Sequence, residues 1–559
     1  MQIFIIAVFA LIVLRVFEKS VIRHNYYTEL GKKQYNVESI VAAKRGEIFA
    51  YDKENLVPLA MNLQKYQVLV VPKNTPDKDF VAAKLAEILG KDKNEIFAAI
   101  NNSKPYAPPI SRRIDKTQAD KISELKLKDV RILPDFARLY PEKELASHIL
   151  GFVNFDNAGN YGVEQYYNSI LKGISGSVLA EKDNLGRLIN ILSGNNEAKN
   201  GDNLVLTLDR NVQYKVEGIL KESVETMAAD NGQVIVVEPK TGKILAFASY
   251  PNFDPNRFNE IAQEKKDEAQ KIFTNPAISF GYEPGSVFKP IIVSLGLESG
   301  KFQPDTKGGP FSNTTVIQGY EIHTALDKAY GDETVTQILE NSDNVGMTWV
   351  GAQIGKDEMY KGLINYNFNA KTGIDLPGEI SGNILPLKNW RDIHVATISF
   401  GQGVLITPIQ IAQAYSIIAN NGDLPKLHIV DKIIKSDGRE EIIEPQIVKR
   451  VIKPETAQSI KNMLLSVVEN GQSKKAKIEG YQIGGKTGTA QIAKKDSIGY
   501  EENAYNHSYA GIAPINDPKF VVVVRLERPK NTQYADGSAL PAFQKIMQYL
   551  LNYYQVPKQ

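Results

Sequence analysis

A ten-residue stretch, Gly281–Pro290, constrains this chain more than any other part of its sequence. It sets Ser286 and Lys289 three positions apart, after a Pro-Gly turn and directly before the apolar run Ile291–Leu297. Residues three apart share one face of a helix, so we expect the Lys289 amine to reach the Ser286 hydroxyl. A hydroxyl is a weak nucleophile without an adjacent base, and burial can lower the pKa of a lysine until it acts as that base. The stretch therefore predicts a serine nucleophile at a helix start, where the helix dipole favours a developing oxyanion.

Length and composition narrow the classes of protein that remain. A chain of 559 residues is too long for one ordinary core, so we expect two or more domains. The net charge of +2 gives no indication of nucleic-acid binding. Cysteine is absent, which excludes thiol catalysis, disulfides and thiolate metal sites. The six histidines are scattered and form no His-Glu-x-x-His pair, so we expect neither a metal site nor a cofactor.

The amino-terminal segment predicts a membrane anchor over residues 1–17. Ile3–Leu14 is an unbroken apolar run of twelve residues. A bilayer span needs about twenty, so a buried helix or the apolar region of a signal peptide is an alternative. No small-residue cleavage site follows, which favours an uncleaved anchor. Basic residues follow the run and none precedes it, so we expect further residues upstream.

The rest of the chain divides into two predicted domains, 18–200 and 201–559. Residues 18–200 show mixed structure, and glycines at 173, 176, 194 and 201 suggest turns and a boundary near residue 200. Asn203–Leu208 reads as a strand, 232–249 as a hairpin, and Lys519–Leu526 as another strand before a closing helix over 540–554. Strands at both ends of the second domain, with helices between them, predict an α+β domain whose terminal strands pair in one antiparallel sheet.

Three short motifs each occur three times, and none identifies a site by itself. They are Ser-x-x-Lys at Ser123/Lys126, Ser169/Lys172 and Ser286/Lys289, Ser-x-Asn at Ser193/Asn195, Ser342/Asn344 and Ser381/Asn383, and Lys-Thr-Gly at Lys240, Lys371 and Lys486.

Sequence context selects one copy of each motif. Ser286 alone combines a Pro-Gly approach, a helix start and an apolar continuation. Ser342-Asp-Asn344 separates two segments of helical pattern, a turn that can point side chains into a cleft. Lys486-Thr-Gly follows paired glycines, which let a ligand backbone approach a strand that can bind an extended peptide. The selected copies predict one cleft with three walls.

Together these motifs are the known signature of penicillin-binding proteins and class A β-lactamases. The chain resembles class B penicillin-binding proteins, the monofunctional peptidoglycan D,D-transpeptidases, and among them the division-type members. The stretches that carry the resemblance are Lys44–Ile48, Arg138–Pro141, Tyr161–Glu164, Tyr282–Lys289, Thr372–Glu379, Ser399–Gly403, Lys486–Ala490 and Tyr509–Pro514. The resemblance implies a transpeptidase domain with an antiparallel sheet and helices on both faces, a mixed α/β pedestal domain, and an N-terminal membrane anchor helix.

The resemblance also implies roles for the catalytic residues. Ser286 attacks the penultimate D-alanine carbonyl of a stem peptide, and Lys289 is the base. Ser342 relays a proton to the leaving amine, and Asn344 orients the substrate amide and Lys289.

The third motif is expected to bind substrate. Lys486, Thr487, Gly488 and Thr489 hold the terminal carboxylate, and the backbone N–H groups of Ser286 and Thr489 form the oxyanion hole. Penicillin and other β-lactams acylate the same serine.

The family's division members more often carry serine at position 343 of the Ser-x-Asn motif. Asp343 therefore reads as a solvent-side change that we expect to be tolerated.

The resemblance implies a single-pass protein of the cell membrane, with its catalytic domain outside the cytoplasm. Its expected partners are stem peptides, β-lactams, a polytopic membrane glycan polymerase and divisome proteins. Its expected role is septal cell-wall synthesis in cell division, with cell shape as a related role.

Two classes of alternative remain open. A β-lactamase or β-lactam sensor would share the motifs, but the Glu-x-x-Leu-Asn pentad that class A β-lactamases use to deacylate is absent from the chain. A non-catalytic division scaffold would keep the fold and lose the chemistry, and the presence of every motif side chain counts against it. The first domain has no Glu-Asp-x-x-Phe-x-x-His pattern, which disfavours a bifunctional glycosyltransferase.

Overall fold

The structure is a computed structural model, and it describes residues 1–558 except 42, 74, 103–108, 128, 183–187 and 495–498. The chain forms two compact units. The first consists of Met1–Gly46, Asn62–Leu139 and Ser169–Asp202. The second consists of Glu47–Met61, Tyr140–Asn168 and Asn203–Gln559. Two segments before residue 200 therefore belong to the second unit, and the boundaries 18–200 and 201–559 stay a prediction.

The helices are α1 (Gln2–Phe17), α2 (His24–Tyr35), α3 (Lys78–Leu89), α4 (Lys93–Ile100), α5 (Lys116–Glu124), α6 (Ser147–Leu150), α7 (Gly162–Tyr166), α8 (Asn168–Leu171), α9 (Arg210–Thr226), α10 (Phe258–Lys265), α11 (Ala269–Phe273), α12 (Pro276–Ser279), α13 (Lys289–Glu298), α14 (Val335–Asn341), α15 (Asn344–Ile354), α16 (Lys356–Asn365), α17 (Asp392–Ser399), α18 (Pro408–Ala419), α19 (Pro454–Glu469) and α20 (Ala539–Tyr553).

The strands are β1 (Asn36–Val41), β2 (Ile48–Asp52), β3 (Asn55–Val70), β4 (Ser111–Ile114), β5 (Val130–Leu139), β6 (Phe152–Val153), β7 (Gly159–Asn160), β8 (Gly176–Lys182), β9 (Leu188–Asn196), β10 (Asn203–Asp209), β11 (Asn231–Glu238), β12 (Lys243–Tyr250), β13 (Lys307–Phe311), β14 (Thr314–Ile317), β15 (Tyr320–His323), β16 (Gly331–Thr334), β17 (Asp423–Pro425), β18 (Val430–Ile434), β19 (Glu440–Ile442), β20 (Ile447–Arg450), β21 (Gly484–Ala493), β22 (Tyr500–Ala513) and β23 (Phe520–Glu527).

The first unit has its own small core. Helices α3, α4 and α5 bury apolar side chains against the end of β3 and β4, and Val68, Leu85 and Ile122 lie at the centre of this cluster. Gly90 ends α3 because it takes a left-handed conformation with φ 66°.

Helix α1 confirms a helix at the amino terminus. It has 16 residues, and none of its side chains is buried. Among the described residues, no helix combines the length and apolar character needed to cross a membrane.

The second unit is built on a five-stranded antiparallel sheet with the strand order β12-β11-β23-β22-β21. Strand β11 pairs with β23, near the other end of the chain, so the predicted pairing of distant strands is confirmed. Strand β10 is an exception, because it lies between β18 and β2 instead of joining this sheet.

Helices cover both faces of the five-stranded sheet. Apolar residues of α9 and α20 pack on one face, against alternate residues of β23 such as Val522 and Val524. Helix α18 packs against β11, β22 and β23, and every one of its residues is buried. Because the middle of the sheet is buried on both sides, its central strand β23 is a nearly continuous apolar run over Phe520–Leu526.

Phe543 of α20 gives a test of this packing. Its side chain is fully buried, and its ring centroid lies 4.4 Å from that of Tyr509 on β22. We expect Phe543→Ala to lower the free energy of unfolding by about 3–5 kcal/mol, since it removes buried surface and leaves a cavity. Urea denaturation followed by fluorescence measures the change. Tyr214→Ala, at a side chain that is largely exposed, is the control and is expected to change the free energy by less than about 1 kcal/mol. Equal effects of the two variants would contradict this account of the core.

Candidate active site

Ser286 lies in a 3-10 turn, Gly285–Phe288, immediately before α13. The α-helix itself begins at Lys289, so Pro290 lies in its first turn, where a missing N–H is tolerated. Gly285 has φ 59°, a left-handed conformation that glycine adopts without strain. A Cβ at Gly285 would stand 3.0 Å from the Cβ of Ala490, so the turn packs closely against β21. The predicted helix start is thus present as a tight turn that leads into the helix.

Lys289 is the centre of a buried hydrogen-bond cluster. Its side chain is fully buried. Its Nζ donates to the Ser342 carbonyl oxygen at 2.7 Å and to Asn344 Oδ1 at 2.8 Å, and it lies 3.3 Å from Ser342 Oγ. Within the described part of the chain, the Ser286 hydroxyl makes no hydrogen bond, so the expected contact with Lys289 is not formed in this structure. Such contacts often close only when substrate binds.

Ser342 occupies the turn between α14 and α15. Its φ of 54° is left-handed, which is uncommon for a residue other than glycine. This conformation ends α14. The Ser342 hydroxyl lies between two amines, since Lys289 Nζ is 3.3 Å from Ser342 Oγ and Lys486 Nζ donates to the same oxygen at 2.9 Å. Asn344 donates from Nδ2 to the carbonyl oxygen of His323 at 3.0 Å, which fixes its amide.

The third wall is β21, an edge strand of the sheet. In the described sheet it pairs only with β22, so its other edge is open. Lys486 is fully buried, whereas Thr487 and Thr489 are half-buried. A Cβ at Gly488 would stand 2.9 Å from the Pro284 carbonyl oxygen, so glycine at this position lets the Ser286 turn approach the strand. Thr489 Oγ1 accepts a hydrogen bond from the Ala535 N–H.

Burial changes the proton affinity of both lysines. Burial first, and then the neighbouring Lys486 ammonium, hold the pKa of Lys289 well below its usual range, while Asp343 and Glu333 act in the opposite direction. Burial lowers the pKa of Lys486 to about 7. A lysine amine near neutrality can accept a proton, so the cluster has the chemistry of a general base.

Two of the other motif copies, at Ser123 and Lys240, lack this setting. Ser123 donates its hydroxyl to the Ala119 carbonyl oxygen of its own helix, α5. Lys240 is exposed in the turn after β11 and pairs with Asp517 at 2.6 Å. The structure therefore brings together the copies that sequence context selects.

Asp343 corrects one expectation. It is fully buried and not on the solvent side. Its carboxylate caps α15 by accepting hydrogen bonds from the N–H groups of Val345 at 2.8 Å and Gly346 at 2.7 Å. The expectation was wrong because Asp343 is the N-cap of α15, where its carboxylate accepts hydrogen bonds from backbone N–H groups that have no partner within the helix.

Glu333 on β16 is a residue of this cluster that the sequence analysis missed. It is buried, and its carboxyl group contacts that of Asp343. No motif includes it, and its only sequence signal is an acidic residue directly before Thr334, the N-cap of α14.

Comparison with known proteins agrees with this geometry. Residues 232–548 match the penicillin binding protein transpeptidase domain, and residues 40–206 match the penicillin-binding protein dimerisation domain. The chain is 32% identical over 528 residues to stage V sporulation protein D of Bacillus subtilis, covering 93% of this chain and 80% of that protein. It is 32% identical over 506 residues to peptidoglycan D,D-transpeptidase FtsI of Buchnera aphidicola, covering 88% of this chain and 84% of that protein.

Solved structures show the same fold. A peptidoglycan synthetase from Bifidobacterium adolescentis superposes with a TM-score of 0.75 at 27% identity, covering 94% of this chain and 98% of that one. Penicillin binding protein 3 from Mycobacterium tuberculosis, complexed with aztreonam, gives a TM-score of 0.72 at 26% identity, covering 93% and 98%.

The lowered pKa of Lys486 predicts a pH-dependent stability. In the folded chain the Lys486 amine has a pKa of about 7, whereas a lysine in the unfolded chain has a pKa of about 10.4. The unfolded chain thus binds more protons between these values, so stability rises with pH across this window. We expect Lys486→Met to raise the free energy of unfolding by about 2 kcal/mol near about pH 6.5, and by less as the pH approaches about 10.

Urea denaturation at a series of pH values measures this gap. Lys356→Met, at an exposed lysine of α16, is the matched control and should show no gap that shrinks with pH. A Lys486→Met gap that stays constant or grows with pH would contradict a lowered pKa for the Lys486 amine.

Proposed function

The chain belongs to the penicillin-binding protein family, and from that membership we propose that it is a peptidoglycan D,D-transpeptidase that forms an acyl-enzyme on Ser286. One observation carries the assignment of the site: three motifs that lie far apart in the sequence meet around Ser342, whose hydroxyl contacts both Lys289 Nζ and Lys486 Nζ. Relatives named peptidoglycan D,D-transpeptidase support the reaction.

Acylation begins at the Ser286 hydroxyl. Its Oγ attacks the penultimate D-alanine carbonyl carbon of a stem peptide, and its proton passes to the neutral Lys289 amine. The carbonyl oxygen becomes an oxyanion, which the backbone N–H groups of Ser286 and Thr489 stabilise. Loss of one such donor costs about 3 kcal/mol of transition-state stabilisation.

Ser342 completes the proton transfer. Its hydroxyl lies between the two amines, so it can receive the proton from Lys289 and pass its own to the departing amine of the terminal D-alanine. The C–N bond breaks, free D-alanine leaves, and an ester of Ser286 remains. The amine of a second stem peptide then attacks this ester, forms the cross-link and returns the proton to the Ser286 oxygen.

Strand β21 is the substrate platform in this proposal. Its open edge can pair with an extended peptide, as in recognition by strand addition. Lys486, Thr487, Gly488 and Thr489 supply an ammonium, two hydroxyls and backbone N–H groups for the terminal carboxylate. The carboxylate would compensate the positive charge of the protonated Lys486, which is costly to bury without a partner.

A β-lactam acylates the same serine in this proposal. Its leaving amine stays tethered to the acyl group, so it blocks the second amine and the adduct persists. A β-lactamase is the competing function, and it differs by rapid hydrolysis of this adduct.

The cellular role is proposed as septal wall synthesis in division, on the strength of the FtsI relative. The proposed partners are a polytopic membrane glycan polymerase and divisome proteins. We place the catalytic unit outside the cytoplasm, anchored through α1. Its apolar side chains, such as Ile3 and Phe4, are exposed, which suits a segment embedded in lipid.

The nucleophile is tested by labelling with fluorescent penicillin. We expect wild-type protein to form one long-lived adduct per chain on the Ser286 peptide, as read by mass spectrometry, and Ser286→Ala to form none. The other two Ser-x-x-Lys copies provide matched controls, because Ser123→Ala and Ser169→Ala should both label like wild type. Labelling of Ser286→Ala equal to wild type would overturn the assignment, and rapid release of the label from wild type would favour a β-lactamase.

A further inference from the structure

Glu333 has a buried carboxyl group that takes no part in any step of the proposed reaction. It lies on β16, which pairs with β13, and only 3% of the residue is exposed. Its Oε1 accepts a hydrogen bond from Asn341 Nδ2 at 2.6 Å. Its Oε2 is buried and receives no hydrogen bond from a donor in the described part of the chain. As a carboxylate, Glu333 would therefore carry an unsatisfied buried oxygen, which is costly.

Asp343 is in the opposite situation. Both of its oxygens accept backbone N–H groups, from Val345 and Gly346. These donors lie at the N-terminus of α15, where the helix dipole also stabilises a negative charge. Burial raises the pKa of Asp343 above its ordinary value, while the Gly346 N–H, the Lys289 amine and the Val345 N–H act in the opposite direction. These donors favour the ionised form of Asp343 over that of Glu333, which has no such N–H donors.

The two carboxyl groups are in hydrogen-bonding contact. Two adjacent carboxylates repel each other, so such a pair holds one proton below the raised pKa of one member. The proton belongs on Glu333 Oε2, because that atom has no donor and Asp343 has two. In agreement, burial raises the pKa of Glu333 to about 7.

We propose that Glu333 is a positioning residue of the active site: as a neutral carboxylic acid it donates a hydrogen bond from Oε2 to the Asp343 carboxylate, so that the pair presents one negative charge to Lys289. This inference rests on the proposed function in one respect, the role of Lys289 as base.

The geometry gives this hydrogen bond two effects. Asp343 lies between Ser342 and Asn344, the two residues that bind Lys289 Nζ, so anchoring its carboxylate fixes the turn that holds the amine. The single negative charge also balances the proton that Lys289 takes from Ser286. Two ionised carboxylates would keep Lys289 protonated, and two neutral ones would leave its ammonium without a counterion.

Three titratable side chains in the described part of the chain interact with this cluster. Lys289 approaches from α13, Lys486 lies beside Lys289 on β21, and Tyr330 precedes β16. Burial first, and then the Asp343 and Glu333 carboxyl groups, raise the pKa of the Tyr330 hydroxyl, so it stays neutral when Lys289 titrates. The pH dependence of the cluster therefore comes from the two amines and the acid pair.

Infrared spectroscopy tests where the proton lies, without any use of activity. Protein labelled with ¹³C-glutamate, measured near about pH 6, should show the C=O stretch of a protonated glutamic acid, and Glu333→Gln should remove part of that band. Glu217 is a half-buried glutamate, whose pKa burial also raises to about 7, so Glu217→Gln is the control that removes a different part. A band that Glu333→Gln leaves unchanged would overturn the proposal, since the proton would then lie on Asp343 or be absent.

The pH profile of penicillin acylation tests the effect on Lys289. Glu333→Gln still donates a hydrogen bond to Asp343 and keeps one negative charge, so the acidic midpoint of the rate should move by less than about 0.3 pH units. Asp343→Asn removes that charge and should lower the midpoint by more than about 0.5 pH units. Glu333→Met fills a similar volume without a donor and should acylate about tenfold more slowly than Glu333→Gln.

Two results would overturn the proposal. A midpoint lowered in Glu333→Gln as much as in Asp343→Asn would mean that Glu333 is itself the anion, and equal rates for Glu333→Gln and Glu333→Met would mean that the hydrogen bond has no role. Thermal unfolding of each variant checks that it is folded, and the infrared result on the wild-type protein does not depend on any variant that fails to fold. If wild-type Ser286 takes no penicillin, the proposed function fails, while the infrared band still decides the protonation of Glu333.

Discussion

The structure of the active site depends on two lysine amines buried around a single hydroxyl. Lys289 and Lys486 come from a helix and an edge strand, and both place Nζ against Ser342 Oγ. Two ammonium ions cannot be buried side by side without a large free-energy cost, so at least one amine is neutral near pH 7. This cost lowers the pKa of Lys289, so that its neutral amine can act as the base. The fold accepts a locally unfavourable arrangement because the sheet and its covering helices supply the stability elsewhere.

Several local features keep the three walls close enough for this arrangement. Gly488 and Gly285 allow the Ser286 turn to touch β21 without a clash. The left-handed Ser342 ends one helix and lets Asp343 begin the next. In the structure and the proposal together, the Glu333–Asp343 pair extends the cluster beneath Lys289 and sets how much negative charge that lysine meets.

The sequence predicted which residues come together in the site better than it predicted the hydrogen bonds among them. Context alone selected Ser286, Ser342 and Lys486 from nine motif copies, because a Pro-Gly approach, an interhelical turn and paired glycines are local signals. The antiparallel pairing of β11 with β23 was also predictable, since both are strongly apolar strands at the two ends of one domain.

The contacts could not be predicted, because they depend on backbone rotations and long side chains. Asp343 was expected to face solvent, but it is the N-cap of α15 and its carboxylate turns back onto backbone N–H groups. Lys289 was expected to bond Ser286, yet its flexible side chain finds two better acceptors in the Ser342 carbonyl and the Asn344 amide. Glu333 belongs to no motif, and it lies on β16, which pairs with β13 earlier in the sequence.

The most direct test of this mechanism is the protonation state of Lys289 itself. With ¹³C-labelled lysine, the Cε chemical shift of Lys289 can be followed by NMR as the pH is raised, and the Lys289→Met and Lys486→Met variants assign the resonances of these two lysines. We expect Lys289 to titrate well below the ordinary lysine value of about 10.4, and its pKa to rise when the positive charge of Lys486 is removed. A Lys289 resonance that titrates at the ordinary value, unaffected by Lys486→Met, would contradict the claim that burial and a neighbouring amine make this lysine the base.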